Sequence, residues 1–194
     1  MTFVISALKQ RLFLLAMLAF SHSASAEPSE ITIGVVPQQA ATALARAWIP
    51  ALAEISQRAG VRVVFRTAPD IPTFEERMKQ GEYDIAYMNP YHYTVFSKQP
   101  GYRAFAREKD RKLVGIIVVA KDSPAKSLAD LTGQTIIFPA PAAFAASILP
   151  RAEFTRQNIN INAKYVSSHD SVYQNVAQGN FSAGGRIKRT LEAV

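Results

Sequence analysis

Between Ile31 and Gly179 the spacing of apolar residues switches repeatedly between period two and a period near 3.6. That alternation constrains the fold more than any other feature of the chain. Ile31–Val36 reads as a strand. A helix follows, with Leu44, Trp48, Leu52 and Ile55 on one face, Pro50 as an expected kink and Gly60 as the stop. Val61–Phe65 is the next strand. Thr73 and Glu76 have the spacing of a capping box, opening a helix that Gly81 ends. The apolar run Ile85–Met88 stops at Asn89-Pro90, a good N-cap followed by a good first helical residue. Further strands are expected near Arg103–Arg107 and at Val114–Ala120, Thr135–Phe138 and Ala163–Val166. Helical segments are expected at Ser127–Leu131, Ala142–Gln157 and Val172–Gln178. Strands alternating with helices predict an α/β fold with largely parallel sheets.

The N-terminus is of another kind. Lys9 and Arg11 precede an apolar run from Leu12 to Phe20, and Ala24-Ser25-Ala26 is a small-residue cleavage signal. This is the pattern of a secretory signal peptide, its apolar part too short to span a bilayer. Cleavage after Ala26 places residues 27–194 in the periplasm. The chain has no cysteine, which excludes thiol catalysis, thiolate metal sites and lipid attachment at a cysteine. Without Lys9 and Arg11 the formal charge falls from +7 to +5. The basic residues are scattered, so a nucleic-acid partner is not expected, while a mild positive field favours a small anion.

Four expected strands end in polar or proline-marked loops that begin helices: Pro37-Gln38-Gln39, Asn89-Pro90-Tyr91, Pro139-Ala140-Pro141 and Ser167-Ser168-His169-Asp170. Ligands of open α/β sheets bind beyond the carboxyl ends of strands, where helix N-termini present unpaired N–H groups. Two junctions precede Val114–Ala120 and two follow it, so two lobes facing across a cleft would gather all four. Ordinary βα connections read the same way, and the residues alone do not separate the two.

The segments GVVPQQ, GEYDIAYMNPYHY, KDSPAKSLADLTGQ and SSHDSVYQNVAQGNFSAGG, in that order, resemble the periplasmic substrate-binding proteins of phosphate, phosphite and phosphonate ABC transporters. The resemblance implies a type II periplasmic-binding-protein-like α/β fold: two α/β lobes, a cleft between them, and Val114–Ala120 as the first crossing. Residues 27–116 would be the first lobe and 117–194 the second. Family members continue further, so the second crossing and the C-terminal part of the first lobe are expected to be missing here. That loss would leave apolar surface uncovered on the first lobe.

The resemblance also assigns a site. Where phosphonate binders carry Ser-Thr-Ser at a helix N-terminus, this chain has Ala143, Phe144 and Ala145. A family aspartate falls at Ser182, and family tyrosines fall near Ile71 and at Met88, with Tyr87 and Tyr91 next door. His169-Asp170 matches the family's histidine and acidic residue. The expected ligand contacts are therefore Gln38, Tyr87, Asn89, Tyr91, Ala143, Phe144, Ala145, Ser168, His169 and Asp170. An oxyanion held by backbone N–H groups and His169, or a ligand with an apolar part on Phe144, both fit.

Simpler roles compete. Ser168 or Asp170 reads equally as a helix cap, Tyr87, Tyr91 and Tyr93 as packing, and Gln38 as a solvated loop residue. His92 is expected on a partly exposed helix face, Trp48 in the core, and the Arg186–Arg189 cluster on a solvated helix. No catalytic residue, metal or cofactor is expected, since no G-x-S-x-G and no ligand cluster accompanies His169. The implied function is a monomeric solute-binding component that delivers a small anion to an ABC permease in the inner membrane. A partner of a sensor kinase and a non-functional fragment are the alternatives. A periplasmic hydrolase using His169 lacks a nucleophile.

Overall fold

A computed structural model of the protein describes residues 30–110 and 112–191. The signal sequence expected at residues 1–26 lies outside them. The first sheet contains β1 (Glu30–Val35), β2 (Arg62–Arg66) and β3 (Ile85–Tyr87), in the order β2-β1-β3 and parallel throughout. The crossovers are α1 (Ala41–Ala59) and α2 (Ile71–Lys79), and α3 (Pro90–Phe96) follows β3. The second sheet contains β4 (Gly115–Val119), β5 (Thr135–Phe138), β6 (Asn162–Tyr165) and β7 (Ala183–Ile187), in the order β4-β7-β5-β6. Here β5 is parallel to both neighbours, whereas β4 and β7 are antiparallel, with Ile116 opposite Arg186. A π-helical turn, Phe144–Ile148, leads directly into α4 (Leu149–Arg156). Then come α5 (His169–Ala177) and, after β7, the short α6 (Lys188–Leu191).

Helix α1 buries Leu44 and Leu52 on β1, with half-buried Trp48 between them, but Ile55 is exposed rather than part of that face. The covered stripe advances in steps of four, 44-48-52-56, and so ends on Ser56. The Ser56 hydroxyl donates to Leu52 O at 2.8 Å and accepts from Val63 N at 2.9 Å, tying the helix to β2. Gly60, in the left-handed region at φ 68°, stops the helix as expected. Helix α2 begins three residues before the expected capping box. Its cap is Asp70, whose Oδ1 accepts from Thr73 N at 2.8 Å, while the Glu76 side chain turns to Gln80.

Two other expectations are corrected. The segment around Arg103–Arg107 forms no strand: among the described residues β3 pairs only with β1, and Phe105 is left 80% exposed. Ser127–Leu131 contains only a 3₁₀ turn, Ala129–Leu131. Asp130 folds it by accepting from the backbone of Lys126 and Ser127, at 2.9 and 2.8 Å.

The greatest departure from the sequence reading is β7. Residues 183–187 occupy the interior of the second sheet, all five buried, so Arg186 is a fully buried strand residue and not part of a solvated helix face. β7 runs back alongside β4 and brings Ile187 into an apolar cluster that spans both sheets. From the first sheet's side come Val36, Ile71, Phe74, Met78 and Tyr83. From the second come Ala140, Ala143, Ala145 and Ala146. Burying each large member of such a cluster is worth about 1.5–3 kcal/mol relative to exposure, so the two sheets share a core.

Candidate functional site

In each sheet the first strand of a crossover lies between two later ones, which makes it a topological switch point. β1 lies between β2 and β3, and β5 lies between β6 and β7. Loops diverge at such points and leave a crevice beyond the strand ends. Gln38 follows β1 and Asn89 follows β3, while Ala143–Ala145 follow β5 and Ile187 closes β7. The two crevices face one another.

Between them lies a small cavity of about 10 Å³, roughly the space of one water. Its polar lining is Gln38, Asn89 and His169. Ala143, Phe144 and Ala145 form one wall, and Val36, Ile71, Leu113 and Ile187 complete it. Among the described residues, the lining includes no acidic side chain and no lysine or arginine. A much larger groove of about 1410 Å³ runs along the free side of β3, past Tyr87, Met88 and Tyr93, to the 100–114 segment and Lys188. Gln38, Asn89 and Ile187 border this groove as well, but Ala143–Ala145 and His169 line the small cavity and not the groove.

Polar contacts between described residues join the halves across it. Asp170 Oδ2 accepts from Ala40 N at 3.3 Å, and Asn89 Nδ2 donates to Ala142 O at 3.3 Å. Asn89 is also the cap of α3, its Oδ1 accepting from His92 N at 2.8 Å. Ser168 caps α5 by accepting from Ser171 N at 3.0 Å, so its side chain is spent on the helix. Of the expected contacts, Gln38, Asn89, Ala143, Phe144, Ala145 and His169 are brought together. Tyr87 instead packs on Trp48, ring centroids 5.1 Å apart, and borders the larger groove. Tyr91 is about 39% exposed and lines neither space.

His169, the first residue of α5, is 1% exposed, and its Nδ1 has no hydrogen-bond partner. Burial, with the Arg186 charge adding to it, pushes its pKa down to about 4. At neutral pH it therefore offers the cavity an imidazole and not a cation. Arg186 sits with its guanidinium 5.0 Å from the Tyr173 ring centroid. Burial lowers its pKa, against the favourable charge of Asp170.

His92 is buried, not partly exposed, because the face of α3 that carries it packs on α2. Its ring lies 6.2 Å from Phe74 and 6.1 Å from Phe96. Its Nε2 is 2.9 Å from Glu75 Oε1 and 3.2 Å from Asn89 Nδ2. The sequence reading passed over this Glu75–His92 pair. The one available signal was that 75 and 92 each sit one turn into a helix expected beside the site. Among the described residues no group of three or more His, Cys, Asp or Glu side chains could hold a metal. Nor is any helix among them long and apolar enough to cross a membrane.

Residues 33–194 match the family described as the phosphonate ABC transporter periplasmic substrate-binding protein. Among solved structures, the binding-protein component of an ABC phosphonate transporter from Pseudomonas aeruginosa superposes with a TM-score of 0.72 at 19% identity. The match covers 86% of this chain and 60% of that one. A Prochlorococcus marinus protein solved with methylphosphonate superposes at 0.77 with 17% identity, covering 86% of this chain and 66% of that one. The chain thus spans somewhat less than two thirds of the length of either, and at these identities the likeness speaks for the type II binding-protein fold. With the match over residues 33–194, the chain belongs to the family of periplasmic substrate-binding proteins of phosphonate ABC transporters.

Proposed function

We propose that the protein captures a small oxyanion of the phosphate, phosphite or phosphonate type between two lobes and presents it to an ABC permease in the inner membrane. The lobes would be built on the two sheets, with the division near residue 116. The observation that carries this reading is the convergence of Gln38 and Asn89 from one sheet, and Ala143–Ala145 and His169 from the other, on one small cavity. Contacts made by both lobes favour the closed state over the open one, which couples binding to closure. The methylphosphonate in the Prochlorococcus structure supports the choice of ligand class. The chain performs no chemistry of its own in this reading and works as a monomer.

The lining modifies the ligand preference. Without hydroxyls at residues 143–145, an oxyanion would rely on backbone N–H groups and the amides of Gln38 and Asn89. Phe144 would favour an alkyl group on the phosphorus. A cavity of about 10 Å³ admits neither phosphate nor an alkylphosphonate until the lobes part, so binding requires opening first.

The test is a thermal melt of residues 27–194, alone and with phosphate, phosphite, methylphosphonate, sulfate and a neutral control. A ligand at about 100 times its dissociation constant adds roughly 2.7 kcal/mol to the folded state and raises the midpoint. A rise with methylphosphonate above that with phosphate is expected. A cooperative melt unmoved by every phosphorus oxyanion would remove the ligand assignment.

A further inference from the structure

Arg186 carries a charge that lies behind the cavity lining and not in it. It is fully buried on β7, opposite Ile116 of β4. Side chains of a strand alternate between faces, so residues 184 and 186 share one. A β-carbon on Gly184 would meet Val172 and Val176 of α5, whereas one on Gly185 would meet the Ala146 carbonyl and Phe138. The Arg186 side chain therefore enters the layer between the sheet and α5, where its guanidinium lies 5.0 Å from the Tyr173 ring centroid. Ile187, the next residue, turns to the opposite face and lines the cavity. His169, one helical turn before Tyr173, lines it from α5.

A guanidinium does not lose its proton in a protein, so this charge is permanent. Its place is an unfavourable one for a cation: beside the first turns of α5, whose N-terminus already carries the positive pole of the helix. Asp170, on the same helix, is the carboxylate whose charge favours the guanidinium, and it also accepts from Ala40 N of the other half. The sheet neighbours and the π-helical turn packed on β7 bring no ionisable side chain. β4 is Gly-Ile-Ile-Val-Val, β5 is Thr-Ile-Ile-Phe and the turn is Phe-Ala-Ala-Ser-Ile. Lys188 and Arg189 of α6 border the large groove. The Arg186 charge reaches the cavity wall, since it is one cause of the depressed His169 pKa. A buried charge is weakly screened by salt and acts over several ångströms without contact.

We propose that Arg186 is a specificity-determining residue of the ligand site: from behind the wall formed by Ile187 and His169, it supplies the positive charge for an oxyanion that the lining meets with neutral groups. This rests on the reading of the small cavity as an oxyanion site. Selection by charge then comes from β7, and selection by shape and hydrogen bonding from Gln38, Asn89 and Phe144.

Titration calorimetry of the protein with methylphosphonate separates charge from shape, because the same ligand carries one charge at pH 6 and two at pH 9. The ratio of wild-type to variant affinity is taken at each pH, which cancels other groups that titrate alike in both proteins. Arg186→Met is expected to weaken binding about tenfold for the single charge and about a hundredfold for the double one, because a Coulomb term scales with the charge of the ligand. Arg186→Lys keeps the cation and should recover most of the loss. Equal losses at the two pH values, or no loss at either, would leave Arg186 a structural residue and overturn the proposal. Asp170→Asn removes the carboxylate that answers Arg186 and should tighten binding, more at pH 9 than at pH 6. That variant decides the matter if Arg186→Met does not fold: without a gain, the charge of Arg186 does not act on the ligand. If the wild-type protein binds methylphosphonate at neither pH, the oxyanion reading itself fails and takes the counter-charge with it.

Discussion

The carbonyl oxygen of Ala145 lies against Gly115 so closely that a β-carbon there would collide with it, and the carbonyl of Ala146 stands over Gly185 in the same way. The π-helical turn that forms one wall of the cavity is therefore seated directly on the backbones of β4 and β7. A side chain at either glycine would lift the wall. Gly115→Ala and Gly185→Ala are each expected to destabilise the fold by about 1–3 kcal/mol, the usual cost of overpacking against a backbone that cannot turn aside. Urea unfolding midpoints check this, with Gly133→Ala as a comparison where no atom lies nearby but φ is 75°.

Stability should fall in weak acid because of His169. Its pKa is about 4 in the fold, depressed first by burial and then by Arg186, against 6.5 for the free side chain. Between those values the unfolded chain binds a proton that the folded chain refuses. Stability is thus complete above about pH 6.5 and is lost as pH falls towards 4, by on the order of 3 kcal/mol. Unfolding free energies measured from pH 7.5 to 4 should show this slope, and His169→Gln should flatten it.

Replacing the buried cation separates the two causes. Arg186→Met keeps the length of the side chain and removes the charge. Because burial is the larger cause, the His169 pKa should rise yet stay below 6.5, as followed by the imidazole proton resonances during titration. A value that does not move would show that the Arg186 charge is not felt at the ring.

The α/β alternation and the Asn89 and Ser168 caps were legible because each rests on local chemistry: period, proline, glycine and a short polar side chain. β7 was not legible. Ala183-Gly184-Gly185 has no side-chain pattern to read, because Val172, Val176, Phe138 and the Ala146 carbonyl already occupy the space beside the two glycines. The strand is defined by its neighbours. Arg186 misled for a related reason: a basic cluster in sequence says surface, and only the antiparallel pairing with β4 puts it inside. The cavity follows the same division. Its polar members sit at strand–helix junctions that the sequence marks. Leu113 and Ile187 enter it through tertiary packing alone, and Tyr91, marked by the same junction, points elsewhere.

Helix α2 offers a sharp local test, since its cap lies three residues from where the sequence motif puts it. Asp70 accepts from the Thr73 side chain and its backbone N–H, and these two bonds hold its pKa below the ordinary aspartate value. Asp70→Ala should cost about 1 kcal/mol, the typical effect of deleting an N-cap. A capping box at Thr73 would instead make Glu76 the reciprocal partner, reaching back to Thr73 N. In the fold that N–H already belongs to Asp70, and Glu76 faces Gln80 at 3.0 Å on the exposed side. Glu76→Ala should therefore change the unfolding free energy by only a few tenths of a kcal/mol, as expected for a surface side chain. The consequence reaches the cleft. Ile71, the first residue of α2, lines the cavity beside Val36, and Asp70 fixes where that helix begins. A cap at Thr73 would leave residues 70–72 outside the helix and withdraw Ile71 from the wall, so the order of the two costs reports on the position of the wall itself.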